Sequence, residues 1–408
     1  MSNDGLLRVL FSFLPIALGS LPAFPDSSPS ALPAAQAYVV LGWNDLGMHC
    51  MNQRYENLCI LPPFNNLWAQ VIQRGSHPRL VDQNVTVTYR FPKNTVSHTK
   101  VNFWDYANRL FNVTLQPDVG LTGNGLAGAM TWNSQAFEAT GVPLTPFDDD
   151  NPAVEHPYQV AVLTLMDAQS GEKWDESEIV APVSVEMHCD QCHREDGMTP
   201  EEVILEEHDE VNGQSLTALK PVLCASCHES NALGTSKKPG IPSLSLAVHG
   251  KHAREAQEEG LNIECYDCHP GRATQCFRDV MFSAGHRCED CHGTLAQVAS
   301  SIQQQNRRPW LDEPKCDDCH AAQYAVNPGK LYRQSTGHGG LFCEACHNSP
   351  HAIWPTIQPA DNAQAIRVQG FAGAISDCRV CHVTLPEGPG PHGLRAGDVA
   401  PVKAWGIY

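Results

Sequence analysis

Seven short motifs in this sequence hold two thiols and an imidazole at a fixed spacing. Each has the pattern Cys-x-x-Cys-His, and all seven lie between Cys189 and His382. Two cysteines three positions apart can reach the two vinyl groups on one edge of a porphyrin, and the next residue then offers a nitrogen to the central metal. The motifs are Cys189/Cys192/His193, Cys224/Cys227/His228, Cys265/Cys268/His269, Cys288/Cys291/His292, Cys316/Cys319/His320, Cys343/Cys346/His347 and Cys378/Cys381/His382. The pattern predicts seven covalently attached c-type haems, with the cysteines as attachment points and the histidines as iron ligands.

Zinc is the main alternative for paired cysteines, and it does not fit this spacing. Structural zinc takes four ligands, which come from paired knuckles at regular separations. Here every cysteine pair carries its own histidine, and the separations between the pairs vary. A thiol redox pair would account for one copy of the motif, but not for seven.

The second axial ligand decides what each iron can do, because a six-coordinate iron passes electrons whereas an open position can bind a substrate. The histidines that follow Cys189 outside the motifs also number seven, and we interpret them as the distal ligands, with a surface role as the alternative for each. They are His208, His249, His252, His286, His338, His351 and His392. His249 and His252 share one helical face, so we expect them to serve two neighbouring haems. The reserves are His188, His49 and, less favoured, a methionine (Met187, Met198 or Met281).

The region that must position these motifs, residues 187–408, has about 32 residues for each predicted haem. That is too little protein to bury seven porphyrins separately. We therefore predict a haem-packed region with short helices and little regular secondary structure. Thr199, Pro200 and Glu202 form a capping-box sequence, a helix over 245–259 ends at Gly260, and Thr294 caps a helix through Gln305.

Residues 38–186 differ in composition from the motif region. They hold 16 aromatic residues in 149 positions, against 11 in 222 for residues 187–408. A conventional core needs aromatic and β-branched side chains, whereas a core made of porphyrins does not. We therefore predict a separate N-terminal domain over residues 38–186 and a heptahaem domain over residues 187–408.

The periodicity within the N-terminal domain indicates strands. Residues 85–91 alternate between apolar and polar, as do the short stretches 101–103 and 111–115. Residues 158–165 and 179–185 are more continuously apolar, as central strands are. Turn-forming residues separate these segments, and the pattern predicts an all-β, antiparallel sandwich.

Residues 1–37 have the features of a secretory signal peptide. Arg8 precedes an apolar stretch, and Ala35-Gln36-Ala37 is a candidate cleavage site. A disordered tail is the alternative. No later stretch has enough consecutive apolar residues to span a bilayer. The formal net charge of −18 argues against nucleic acid and anionic membrane surfaces as partners. We expect a periplasmic or extracellular protein.

Three cysteines lie outside the motifs. In an oxidising compartment Cys50 and Cys59 could close a short loop as a disulfide, which we take as a hypothesis. Cys276 is interpreted as a small buried side chain, with a free reactive thiol or an intermolecular thiol as the alternatives.

On its seven motifs, the C-terminal region resembles the multihaem c-type cytochromes of bacteria and archaea that respire metals or other extracellular acceptors. In that group stacked bis-histidine haems form a continuous electron path, and some members polymerise into extracellular filaments. The resemblance implies electron transfer by hopping along seven haems, to redox partner proteins or extracellular acceptors. It does not extend to residues 38–186.

Three function classes remain open at this stage. The favoured class is an electron carrier with seven capped irons and no catalytic residues. The second is a multihaem oxidoreductase in which one open-coordinate haem acts on a small inorganic substrate. The third is a self-associated filament, which overlaps with the first. All seven motifs end in histidine, which counts against enzymes whose signature is a Cys-x-x-Cys-Lys motif.

Overall fold

The computed structural model describes residues 34–322, 324, 325, 327–393 and 395. The first 33 residues of the predicted signal peptide lie outside this range. The strands of the described part are β1 Tyr38–Asn44, β2 His49–Cys50, β3 Leu58–Cys59, β4 Asn65–Gln73, β5 Arg79–Leu80, β6 Val85–Arg90, β7 Ala127–Ala129, β8 Thr131–Trp132, β9 Phe137–Val142, β10 Phe147–Asp148, β11 Asn151–Glu155, β12 Tyr158–Asp167, β13 Lys173–Ser184 and β14 Val222–Leu223.

Most helices lie in the second half of the chain, and most are short. They are α1 Ala34–Ala37, α2 Phe103–Phe111, α3 Pro200–Asn212, α4 Leu244–Glu259, α5 Val280–Ser283, α6 Cys288–His292, α7 Leu295–Gln305, α8 Cys343–His347 and α9 Ala363–Gln369. No helix in the described ranges is long and apolar enough to cross a membrane.

Two five-stranded sheets make up the N-terminal region. The first has the order β1-β4-β9-β8, with β5 paired to β4, and the second has the order β2-β13-β12-β6-β7. Pairing is antiparallel throughout, except for the short parallel contact of β2 with β13. As the apolar runs predict, β12 and β13 are inner strands of their sheet.

A shared hydrophobic core joins the two sheets. Alternate residues of β6 are buried in it, including Val87 and Tyr89, as the period of two requires. Leu67 from the first sheet and Leu163 from the second belong to the same cluster, and both are fully buried. The predicted β-sheet character of this region is therefore confirmed.

Strand β1 is buried on both faces, and its second face positions the motif region. Val40 points into the core shared by the sheets, whereas Leu41 and Trp43 belong to a second apolar cluster. That cluster includes Phe342 and Val380, which lie next to or inside the sixth and seventh motifs. The first sheet thus forms the apolar surface on which these two motifs pack.

The segment around Trp104 was predicted as strands and is a helix instead. In α2, Phe103, Ala107 and Leu110 are the buried residues, at a helical spacing of four and three. The helix ends at Asn112, which adopts the left-handed conformation (φ 55°). The apparent alternation over residues 101–103 and 111–115 was too short to distinguish a strand from one apolar helical face.

The three helices expected in the motif region form as their caps predict. Thr199 and Glu202 make the reciprocal hydrogen bonds of a capping box at the start of α3. Helix α4 ends at Gly260 with φ 68°, and α7 runs from the Thr294 cap to Gln305. These boundaries follow from local sequence, because capping satisfies backbone groups within one turn.

Candidate haem sites

Each of the seven motifs lies on a single helical turn that begins at its first cysteine. Five are 3-10 turns and two are the short helices α6 and α8. In the first motif the amide of His193 donates to the carbonyl of Cys189 at 2.9 Å, and the third and fifth motifs repeat this bond. Residues three and four positions apart share one face of a helical turn, so this local geometry lets the thiols and the imidazole of one motif reach one porphyrin. We number the candidate centres one to seven in motif order.

Cys192, the second attachment cysteine of centre one, lies at the exposed end of its turn. Its side chain is exposed, whereas Cys189 of the same motif is half-buried. The backbone amide of Cys192 donates to the carbonyl of Cys189 at 3.2 Å and ends the turn. His193 is half-buried, and residues 194–197 after it are exposed. The turn of this motif therefore ends at an exposed loop. Cys192 stays a predicted attachment point, since a thioether requires reach rather than burial.

The same difference between the two cysteines recurs along the chain. The first cysteine of every motif is half-buried, and the second is exposed in four of the seven motifs. These four are Cys192, Cys268, Cys291 and Cys319.

Six of the seven motif histidines face a second imidazole in the described part of the chain. Each pair joins one motif histidine to one non-motif histidine from the predicted distal set. The pairs, with ring-centre distances, are His193–His252 (6.2 Å), His228–His208 (6.3 Å), His269–His249 (6.2 Å), His292–His351 (6.0 Å), His347–His392 (5.9 Å) and His382–His338 (6.1 Å). Two imidazoles that bind opposite sides of one metal at about 2 Å have ring centres roughly 6 Å apart.

Helix α4 supplies the distal candidates for two centres. His249 faces the third motif and His252 faces the first, as expected from their position on one helical face. The Nδ1 atoms of both rings lie 2.8 Å from carbonyls of the preceding turn, those of Ser245 and Val248. A hydrogen bond from Nδ1 to a carbonyl fixes the ring and leaves Nε2 free for a metal.

The distal candidate of centre four has an unusual backbone. His351 has φ 62°, a left-handed conformation that is uncommon for a residue other than glycine. Its carbonyl accepts a hydrogen bond from the amide of Arg278 at 3.0 Å. This contact helps to hold the ring of His351 opposite His292, and strained backbone of this kind is concentrated at functional sites.

The fifth motif is different. The side chain of His320 is exposed, and no second imidazole faces it within the described residues. The remaining distal candidate, His286, is also exposed (55% of its side chain), and its Nδ1 lies 3.5 Å from Asp290. The structure therefore does not bring His286 and His320 together.

The two reserve histidines are bonded to carboxylates. His49 is buried, and its Nε2 lies 2.9 Å from Asp45. The Nε2 atom of His188 lies 2.8 Å from Glu186. A buried ring that is bonded to a carboxylate is poorly placed to ligate a haem, and neither reserve histidine faces a motif histidine among the described residues.

Burial keeps several of the facing imidazoles neutral. It lowers the pKa of His269, His347 and His351 to about 4. Neutral imidazole is the form that binds a metal. The six pairs, with the two motif cysteines beside each, therefore have the donor set and the spacing that a covalently attached haem requires.

Contacts between thiols show which centres are neighbours. Cys265 of centre three and Cys288 of centre four interact electrostatically, and Sγ of Cys265 donates to Glu289, the neighbour of Cys288, at 3.7 Å. The pKa of the Cys346 thiol is raised to about 12, mainly because the thiol is buried and also because Cys381 of centre seven lies nearby. Cys189 and Cys192 of centre one interact electrostatically with Cys268 of centre three. In the same way Cys291 of centre four interacts with Cys319 of centre five, and Cys316 of centre five interacts with Cys343 of centre six.

The predicted Cys50–Cys59 disulfide is wrong, since both residues are free thiols in the structure. They lie on different short strands with different partners. Cys50 pairs with Ser184 of β13, and Cys59 pairs with Leu223 of β14. The electrostatic neighbours of Cys50 include Cys276, which is half-buried, so the interpretation of Cys276 as a small buried side chain stays a prediction.

One family model matches the chain. It describes cytochrome c554 and c-prime and covers residues 294–348, a segment that contains the fifth and sixth motifs complete. No curated protein and no solved structure matches the chain. The match supports a c-type cytochrome with covalently bound haem c, iron and a haem-based role in electron transfer. Cytochromes c of this kind are typically periplasmic or extracellular.

Proposed function

We propose that the chain transfers electrons along seven covalently bound c-type haems, in respiration outside the cytoplasm. The observation that carries this proposal is the selectivity of the histidine pairs. Every pair joins a motif histidine to a histidine from the predicted distal set, at the separation that a shared metal requires. Chance packing of rings has no reason to select one member from each set.

The residues of the chain have distinct roles in this proposal. The fourteen motif cysteines attach the porphyrins, and the motif histidines supply one axial nitrogen each. His208, His249, His252, His338, His351 and His392 supply the second. When bound, haem iron takes up and releases single electrons without a change of ligands. The protein keeps the imidazoles neutral and oriented and limits the access of water.

The arrangement of the motifs favours a continuous path. The thiol contacts link centre one to centre three, and then centres three to seven in order. Centre two is tied to the same region, because the side-chain amide of Asn231 donates to the carbonyl of Pro309 at 2.9 Å. Neighbouring centres of this kind suit electron transfer between redox partners at the two ends of the path.

Intact mass spectrometry of the purified, denatured protein tests the proposal directly. We expect a mass equal to the polypeptide plus seven haems, because all seven motifs have the same local geometry. The Cys276→Ser variant is the matched control, since it removes a cysteine outside the motifs and should retain all seven haems. Fewer than seven haems in the unaltered protein would show that some motifs are unused and would overturn the heptahaem assignment.

A second candidate function rests on centre five. Because His320 is exposed and faces no described imidazole, a haem held at this motif would have no described imidazole as its second ligand. Such a site could bind a small inorganic molecule, and the protein would then be a multihaem oxidoreductase. It could also accept His286 from a second copy, which would link this centre to self-association into filaments.

Carbon monoxide binding to the reduced protein distinguishes these cases. We expect about one equivalent per chain in dilute, monomeric protein, because one of the seven motif histidines faces no second ring among the described residues. Binding that is lost when the protein associates, and restored by His286→Gly, would assign His286 of a second copy to this iron. If the monomer binds no carbon monoxide but the His286→Gly monomer binds one equivalent, His286 caps centre five within its own chain and the oxidoreductase candidate fails.

A further inference from the structure

Glu313 lies between the ring of a motif histidine and an arginine. Its Oε2 atom is 3.3 Å from Nδ1 of His292 and 3.2 Å from Nη2 of Arg307. Its other oxygen accepts a hydrogen bond from the backbone amide of Trp310. Only 28% of the side chain is exposed. The paired arginine and the donated amide both stabilise the ionised form, so this carboxylate is a fixed negative charge against the ring.

The contact is with the atom of His292 that a metal would leave free. If the second ring nitrogen binds iron, Nδ1 carries a proton and needs an acceptor. Glu313 can accept a hydrogen bond from this N–H group. Arg307, whose Nη2 lies 3.4 Å from the same Nδ1, can only donate one. In that state the carboxylate, 3.3 Å from Nδ1, is the available acceptor, and the arginine holds it in place.

The charge of Glu313 also reaches a second centre. It acts electrostatically on His249 and His269 of centre three, and on His351, the distal candidate of centre four. The negative charge of this one carboxylate therefore acts on four axial candidates at two neighbouring centres. Of these four, His292 is the one in direct contact with Glu313.

We propose that Glu313 sets the reduction potential of centre four, lowering it relative to centres whose ligand rings face neutral acceptors. The proposal rests on the proposed electron-transfer function. A carboxylate on Nδ1 makes the imidazole a more basic ligand, which stabilises the more positively charged ferric iron. The direct negative charge acts in the same direction, and it is screened less than a fully exposed charge because only 28% of the Glu313 side chain is exposed.

Other centres provide the contrast. The Nδ1 atom of His228 in centre two lies 3.0 Å from the carbonyl of Pro242, a neutral acceptor. In centre one, Nδ1 of His193 lies 3.0 Å from Glu207, but 55% of that glutamate side chain is exposed. Water screens an exposed charge, so the charge of Glu207 should have a smaller effect on its ring.

The test compares Glu313→Gln with Glu207→Gln in redox titrations of the holoprotein followed by visible absorption. We expect Glu313→Gln to shift one transition upward by at least tenfold in its reduction equilibrium, about 59 mV for one electron. Glu207→Gln should shift one transition upward by a smaller amount than Glu313→Gln does. Glu313→Asp keeps the carboxylate, so it should restore most of the reduction potential of the unaltered protein. Asp312→Asn is the control, because Asp312 is paired with Arg308 on the surface, and no transition should move.

Arg307→Met keeps the proposal testable if Glu313→Gln does not fold. Loss of the cation leaves the carboxylate unopposed, so the same transition should move downward. An unchanged titration in Glu313→Gln, or a shift no larger than that of Glu207→Gln, would overturn the proposal. Fewer than seven haems in the unaltered protein would instead count against the electron path itself, which separates the two failures.

Discussion

Replacing Arg278 with methionine is expected to lower the free energy of unfolding of the holoprotein by about 3–5 kcal/mol. Arg278 is among the most deeply buried side chains, and it forms a two-bond ion pair with Asp361 at 2.6 and 3.0 Å. Its Nη1 also donates to the carbonyls of Gly47 and Cys276. The substitution leaves Asp361 as a buried, unpaired charge and two carbonyls without their donor, and each loss is costly.

Denaturant unfolding monitored by tryptophan fluorescence measures this change. The double variant Arg278→Met with Asp361→Leu is the matched control, because removing both charges avoids the unpaired carboxylate and should cost much less. A loss below about 1 kcal/mol for the single variant would place the pair with ordinary surface ion pairs. A large loss would establish Arg278 as the residue that joins the β-sheet region, through Gly47, to the centre-four region, through Cys276 and His351.

Replacing His249 or His252 with glycine is expected to add one equivalent of carbon monoxide binding per chain in the reduced protein. Each ring faces a different motif histidine, so His252→Gly should affect centre one and His249→Gly centre three. An iron that loses one axial nitrogen becomes five-coordinate and gains an open position. The double variant should add two equivalents, because the two centres are separate.

Methionine at either position provides an independent readout. A thioether ligand favours ferrous iron, so His249→Met and His252→Met should each shift one redox transition upward. His188→Gly is the control, since this ring is bonded to Glu186 and should change neither carbon monoxide binding nor any potential. If His249→Gly and His252→Gly bind no more carbon monoxide than the unaltered protein, these residues are not ligands and the six-pair assignment fails.

Local features of the sequence determined the motifs, the caps and several strands. A Cys-x-x-Cys-His turn needs only its own five residues, and the boundaries of α3, α4 and α7 depend on side chains that satisfy backbone groups within one turn. The alternation of residues 85–91 predicted β6 for the same reason, because one face of that strand is buried and the other is not. The α2 segment was misjudged, since a few apolar residues fit either period.

Only the tertiary structure decided which histidine faces which motif. The partners do not follow chain order: His252 faces the first motif, His249 the third and His351 the fourth. The tertiary structure also separated Cys50 from Cys59 and left Cys192 exposed. It buried His49 and kept His286 apart from His320. It placed Glu313 beside the ring of His292. The physical reason is that a motif or a cap depends on residues a few positions apart. A facing pair of imidazoles instead depends on how helices, loops and the apolar face of the first sheet pack together, and residue spacing along the chain does not encode that packing.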